Sequence, residues 1–131
     1  MRYLLDTHVL LWWHERPARL PNAMRRVISR ASAGAPLLVS DITLWEVATL
    51  VELKRVRLSM GVSTWLQRAT AAPLVERVGI TPEIAAEVAT LPSSFHRDAA
   101  DRLLVATARA LGVTLVTEDT RIVDAKICAT L

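Results

Sequence analysis

Short apolar runs alternate with longer stretches of mixed character along the whole chain, and that alternation sets the expected fold. Strand-length runs occur at Arg2–Leu5, Pro36–Val39, Leu74–Val78, Val113–Thr117 and, less regularly, Ala125–Ala129. Between them lie Thr7–Trp13, Asn22–Ala33, Asp41–Lys54, Val62–Ala71, Pro82–Thr90 and Asp98–Leu111, whose length and spacing predict helices. Strands and helices that take turns in this way predict an α/β fold, a largely parallel sheet of roughly five strands with helices on both faces. Pro21 and Pro82 suit the first turns of helices, and Gly34 and Gly112 suit helix exits ahead of a strand. The stretch from Leu111 to Thr117 reads as helix end, turn and buried strand. The 131 residues contain no repeat, low-complexity tract or linker, and their number suits one domain over residues 1–131 with a proper core.

In parallel α/β sheets, ligands bind outside the carboxyl ends of the strands, where the strand order reverses. Asp6 and Asp119 fall just past the ends of the first and fourth predicted strands. Glu46 interrupts Ile42–Ala48, a helix whose apolar stripe wraps most of its circumference, and Asp101 precedes the apolar Leu103–Ala108 run. Each acid also has a plainer role. Asp6 and Asp119 can cap the helix or turn that follows, Glu46 can pair with an arginine, and Asp101 can sit in a first turn favoured by the helix dipole. Asp98, three residues before Asp101 and on the same face, suits the cap of that helix. Four carboxylates brought into one pocket need a positive charge to offset their burial, and an oxygen-only donor set selects a hard cation such as magnesium or manganese. An acidic cage around such an ion is suited to phosphodiester cleavage, which predicts a metal-dependent nuclease. Thr7 and Thr117 would place hydroxyls beside this pocket, where they can orient a carboxylate or a water, or else they lie on the surface.

Composition adjusts this picture modestly. The formal net charge is +3, the pI is near 9.7, and fourteen of the sixteen basic residues are arginine. If five of the thirteen acids share one pocket, eight remain to oppose sixteen bases, which suits an outer surface that attracts a polyanion. The same excess also fits an ordinary solvated surface. His8, His14 and His96 form no spaced ligand set with Cys128, which argues against zinc, and His96 beside Arg97 reads either as a phosphate contact or, more simply, as a solvated loop histidine. The four tryptophans, Trp12, Trp13, Trp45 and Trp65, read most simply as core, and any exposed one would mark a partner groove. A lone cysteine fits a reducing compartment, and no apolar run reaches membrane-spanning length, so a soluble cytoplasmic protein is expected.

Four segments in order carry a resemblance: MRYLLDTHVLLWW at the start, SDITLWEVA at 40–48, FHRDAADRLLVATA at 95–108 and LVTED at 115–119. Together they resemble the PIN-domain ribonucleases and, more narrowly, the toxin half of VapBC-type toxin–antitoxin pairs. The likeness spans essentially the whole chain, with Ala99 standing where related sequences often carry proline. It implies a three-layer α/β/α sandwich and identifies Asp6, Glu46, Asp101 and Asp119 with the family's acidic quartet. In that quartet Asp6 and Asp101 are the principal ligands of Mg2+ or Mn2+, and Asp98 is a fifth ligand, a supporting acid or a cap. The implied reaction is hydrolysis of RNA to a 5′-phosphate and a 3′-hydroxyl, with the backbone held by candidates among Arg16, Arg19, Arg25, Arg26, Lys54, Arg55 and Arg97. A small cognate antitoxin and a homodimeric state are implied as well.

Two other readings compete with this one. A phosphoryl-transfer or receiver fold also uses a strand-end Asp with magnesium, but His8 stands where an aspartate phosphatase needs its second Asp, and no lysine follows a late strand at a useful distance. A catalytically silent RNA-binding or scaffolding module would be expected to have lost an acid, and none of the quartet is missing.

Overall fold

The computed structural model describes residues 2–131. Its central feature is a four-stranded parallel sheet in the order β3-β2-β1-β4, built from β1 (Tyr3–Leu5), β2 (Leu37–Ser40), β3 (Val75–Val78) and β4 (Thr114–Val116). The crossovers are helical: α1 (Thr7–Glu15) and α2 (Asn22–Ser29) join β1 to β2, α3 (Asp41–Glu52) and α4 (Val62–Ala69) join β2 to β3, and α5 (Pro82–Val88) and α6 (Ala99–Leu111) join β3 to β4. A short α7 (Thr120–Ala125) follows β4.

Successive strand residues point to opposite faces of a sheet, and each face here carries its own core. Leu5, Leu37, Val39 and Val116 pack with Val9, Met24 and Trp65 on one side, while Leu4, Leu38 and Leu115 pack with Leu104, Val105 and Ile122 on the other. This is why Leu4–Leu5 and Leu37–Val39 are unbroken apolar runs rather than alternating. Gly112 ends α6 at φ +65°, a left-handed conformation that glycine adopts without a Cβ clash, and the chain then turns directly into β4.

The expected fifth strand is corrected. Ala125 closes α7, and Lys126 follows at φ +52°, so 125–129 does not run as a strand. Pairing comes a few residues later instead: Leu115 N–H donates to Ala129 O at 2.9 Å, and Leu131 N–H donates to Leu115 O at 2.9 Å. One parallel bridge, Leu115 to Thr130, thus covers the free edge of β4 without forming a full strand.

The chain passes from β1 outward to β2 and β3 and then returns to place β4 on the opposite side of β1. The reversal lies at β1 and β4, so their carboxyl ends open the crevice in which a ligand binds. No helix among the described residues is long and apolar enough to cross a membrane.

Candidate active site

Asp6 leaves the end of β1, Asp119 follows β4 by three residues, Glu46 projects from α3, and Asp98 and Asp101 stand at the start of α6. All five line one open cavity of about 560 Å³. The capping roles and the shared cavity coexist. Asp6, Asp98 and Asp119 cap α1, α6 and α7, each accepting a hydrogen bond from a backbone N–H of the following turn. Three helix N-termini therefore begin at the cavity, and their partial positive charge eases the crowding of acids there.

Hydroxyls hold the deepest carboxylates. Asp6 is buried; its Oδ1 accepts from Thr7 N–H and its Oδ2 from the Thr117 hydroxyl, both at 2.6 Å. The Thr7 hydroxyl donates to Glu46 Oε1 and lies 3.3 Å from the Thr43 hydroxyl. Thr7, Thr43 and Thr117 are all buried, so of the two readings of Thr7 and Thr117 the structure has the orienting one.

The histidine set aside as a loop residue belongs to the site. His96 Nε2 lies 2.7 Å from Asp101 Oδ2, with only a fifth of its side chain exposed. Its ring sits against the buried Phe95, with ring centroids 4.4 Å apart. Among the described residues, His96, Asp101 and Asp119 form a trio whose donor atoms lie within 4.8 Å of one another. Asp6 and Glu46 share the cavity without joining that trio, so the tightest donor cluster includes an imidazole that the sequence reading left out.

A second residue escaped the sequence reading. Arg121 pairs with Asp119, Nε to Oδ1 at 3.2 Å and Nη2 to Oδ2 at 3.0 Å, and Nη2 lies 3.6 Å from Asp101 Oδ2. It sits at the second position of a six-residue helix, too short to show a periodic pattern.

Protonation follows from these surroundings. Burial pushes the Asp6, Glu46 and Asp101 carboxyls above their ordinary values, against the hydrogen bonds of Thr117, Thr7 and His96, and repulsion among the acids adds to the rise. Asp119 moves the other way. Burial alone would raise it, but the hydrogen bonds and charge of Arg121 outweigh that and hold it below its ordinary value. Buried carboxyls crowded against one another, with one arginine between two of them, fit a divalent cation: the donors are hard oxygens plus one imidazole, and a positive charge already stands among them.

A second opening of about 500 Å³ adjoins the acidic cavity, and His8, Trp12, Arg19 and Arg55 line both. Arg16, Lys54 and Arg57 complete its basic wall. The Arg19 guanidinium carbon lies 4.5 Å over the Trp12 ring. Four of the seven proposed RNA-contacting bases, Arg16, Arg19, Lys54 and Arg55, thus meet in one groove, and Arg57 joins them. Arg25 is engaged elsewhere, bonded to the carbonyls of Leu20 and Ala18 at 2.9 and 2.7 Å. Arg26 and Arg97 line neither opening.

Glu15 anchors the far wall. Its carboxylate accepts from Ser59 N–H, the Ser59 hydroxyl and Trp65 Nε1–H at 2.8, 2.9 and 3.1 Å, tying the segment after α3 to the end of α1. Lys54 turns the chain out of α3 at φ +58°. Of the tryptophans, Trp65 is buried, Trp12 and Trp13 are half-buried, and Trp45 is exposed on the outer side of α3.

Comparison with known proteins agrees with this geometry. The family model described as PIN domain matches residues 3–127. A curated relative, Ribonuclease VapC22 from Mycobacterium tuberculosis, is 45% identical over 119 residues, covering 91% of this chain and 88% of that protein. Among solved structures, VapBC2 from Rickettsia felis, bound to a DNA fragment from their promoter, superposes with a TM-score of 0.75 at 15% identity, over 100% of this chain and 98% of that one. FitAcB from Neisseria gonorrhoeae superposes with a TM-score of 0.67 at 25% identity, over 98% and 96% of the two chains. With a parallel α/β sheet, acids gathered where its strand order reverses, and a family match spanning nearly its whole length, the chain belongs to the PIN-domain family.

Proposed function

We propose that the protein is a metal-dependent endoribonuclease acting as the toxin of a type II toxin–antitoxin pair, and that it hydrolyses RNA to a 5′-phosphate and a 3′-hydroxyl. The observation that carries this reading is the acidic cavity opening directly into an arginine-lined groove. A polyanion can be attracted along the groove while one of its phosphates is brought to the carboxylates. The 45% identity to a ribonuclease supports the nuclease reading.

In this reading Asp6, Glu46, Asp101 and Asp119 form the catalytic acidic set, with Asp6 and Asp101 as principal Mg2+ or Mn2+ ligands. Bound, the ion supplies Lewis-acid activation of the phosphate and a more acidic water. The chain's own part is positioning. Thr7 and Thr117 fix the Asp6 and Glu46 carboxylates, His96 fixes Asp101, and Asp98 holds the first turn of α6 so that Asp101 faces the cavity. Arg19 and Arg55, on the wall shared by both openings, hold the phosphates flanking the scissile one, and the Trp12 face offers a surface for a base to stack on. An antitoxin silences the toxin at this acidic site. The exposed Trp45 on α3, one residue from Glu46, supports docking of a second copy as a homodimer.

Cleavage of labelled single-stranded RNA by purified protein, with Mg2+, with Mn2+ and with chelator, tests the activity. Metal-dependent cuts with 5′-phosphate ends are expected. RNA binding without cleavage under either metal would leave a silent RNA-binding module in its place. The toxin role is tested by inducing the chain alone in a heterologous bacterium, where growth should arrest; unimpeded growth with soluble protein accumulating would sink it.

The groove makes two further predictions. Arg55→Gln and Arg57→Gln should each weaken single-stranded RNA binding and lower the slope of log affinity against log salt by roughly 0.7. A slope unchanged in both would remove the groove from the RNA path. Glu15→Ala removes three hydrogen bonds to one carboxylate, and the expected loss of stability is about 1–2 kcal/mol by urea unfolding. The same variant should bind RNA more weakly with its saturated cleavage rate preserved, because the basic segment loses its anchor while the acids are untouched. A fall in the saturated rate alone would contradict that division of labour.

A further inference from the structure

We propose that Arg121 is a built-in counter-ion of the acidic cavity, which must let go of Asp119 before a divalent ion can use that carboxylate. The inference rests on the metal-dependent reading above and assigns a role to a residue outside the acidic set. Both oxygens of Asp119 are engaged by the Arg121 guanidinium, at 3.2 and 3.0 Å, and the same group reaches to 3.6 Å from Asp101 Oδ2. Asp101 and Asp119 are also two members of the compact donor trio. The guanidinium therefore competes for the oxygens a cation would bind, and both positive charges cannot hold Asp119 in the same way at once.

The remaining contacts suggest that the pairing is reversible. The Arg121 side chain is 63% exposed, and its polar contacts are the two carboxylates themselves. Six acids line the cavity that this guanidinium faces, against three arginines including Arg121 itself, so repulsion among the carboxylates remains for an ion to relieve. The backbone N–H of Arg121 separately caps onto Asp119 Oδ1 at 2.9 Å. A side-chain substitution leaves that bond in place, so the start of α7 and the fold should survive it.

An exposed ion pair of this kind shifts an equilibrium by about threefold. Titration of the full chain with Mn2+ alone, by calorimetry and without RNA, should therefore give about threefold tighter binding for Arg121→Gln than for the parent protein. Arg121→Lys, which keeps the charge but loses the two-pronged geometry, should fall between them. Thermal unfolding provides a second readout: the rise in Tm on adding Mn2+ should be larger in Arg121→Gln, whose metal-free form lacks the counter-ion. Equal or weaker Mn2+ binding by Arg121→Gln overturns the proposal, because a residue that merely orients Asp119 would cost affinity when removed. If the parent protein binds no Mn2+, with a trace as flat as that of Asp101→Asn, the metal-dependent reading falls and this proposal with it. Tight binding that is indifferent to Arg121 removes only the counter-ion role.

Discussion

Asp6→Asn is expected to slow RNA cleavage by on the order of a thousandfold while leaving the metal-free protein folded and slightly more stable than its parent. Both effects have one origin. Asp6 is buried beside Thr7 and Thr117, its carboxyl is raised first by burial, and its charge also repels Asp101. In the absence of an ion, that charge is a liability at neutral pH. Asparagine is nearly the same size and keeps a carbonyl oxygen for Thr7 N–H, and the Thr117 hydroxyl can accept a bond from its amide. Relieving the repulsion should raise the metal-free Tm by a few degrees, equivalent to about 1 kcal/mol. The same change removes one anionic ligand from the proposed ion site. Single-turnover cleavage and thermal unfolding in chelator measure the two halves separately. A variant that still cleaves within tenfold of the parent rate would take Asp6 out of the chemistry. A Tm several degrees lower would show that its charge is structural.

Saturating manganese should stabilise the protein strongly at neutral pH and scarcely at all near pH 4. The raised carboxyls of Asp6, Glu46 and Asp101 bind protons more readily in the folded chain than in the unfolded one, whose acids titrate at about 4. Between the unfolded and the raised native values the folded state holds more protons, so these three groups make metal-free stability fall as pH rises through that window. Asp119 acts in the opposite sense. Its native value is depressed, so its stabilising share is present above the unfolded value and is lost as pH falls through the native one. Above the unfolded carboxylate value of about 4 Asp119 is ionised in both states, so the three raised groups alone set the slope and the chelated protein should lose stability as pH rises from there toward neutrality. An ion needs the carboxylates ionised and releases the protons they hold, so its affinity rises over the same range. At a hundredfold excess over its Kd, an ion stabilises by about 2.7 kcal/mol. Unfolding curves at several pH values, with chelator and with Mn2+, give the increment directly. An increment that does not change between pH 4 and pH 8 would mean that the ion binds somewhere other than these acids.

Much of the framework was legible in the chain because it depends on local pattern. The β1, β2, β3 and β4 runs lie within a residue or two of their expected limits, because the buried segments Leu4–Leu5, Leu37–Val39 and Leu115–Val116 are continuous apolar runs, while the edge strand β3 keeps Val75 and Val78 around an exposed Glu76 and Arg77. Asp6 and Asp119 were placed by the rule about strand ends, and Glu46 by being a charge in an apolar helix. Asp98 and Asp101 were placed by their three-residue spacing. What failed locally was the C-terminal stretch. The six residues of α7 give too little periodicity to read, and the edge pairing of 129–131 rests on hydrogen bonds to a single strand residue, Leu115.

The sequence by itself determined the class of fold, the order of its elements and the acids at their ends, because periodicity, capping and turn chemistry act between near neighbours. Tertiary structure decided which of those acids meet, and what meets them. Thr117 reaches Asp6 across 111 positions, and Glu15 reaches Ser59 across 44. His96 joins Asp101 only because the segment before α6 folds back over the first turn of that helix. Arg121 becomes a site residue only because β4 lies beside β1, which puts Asp119 and Asp101 within reach of one guanidinium. Contacts of this kind depend on the register of parallel strands, and no short window of the chain encodes that register.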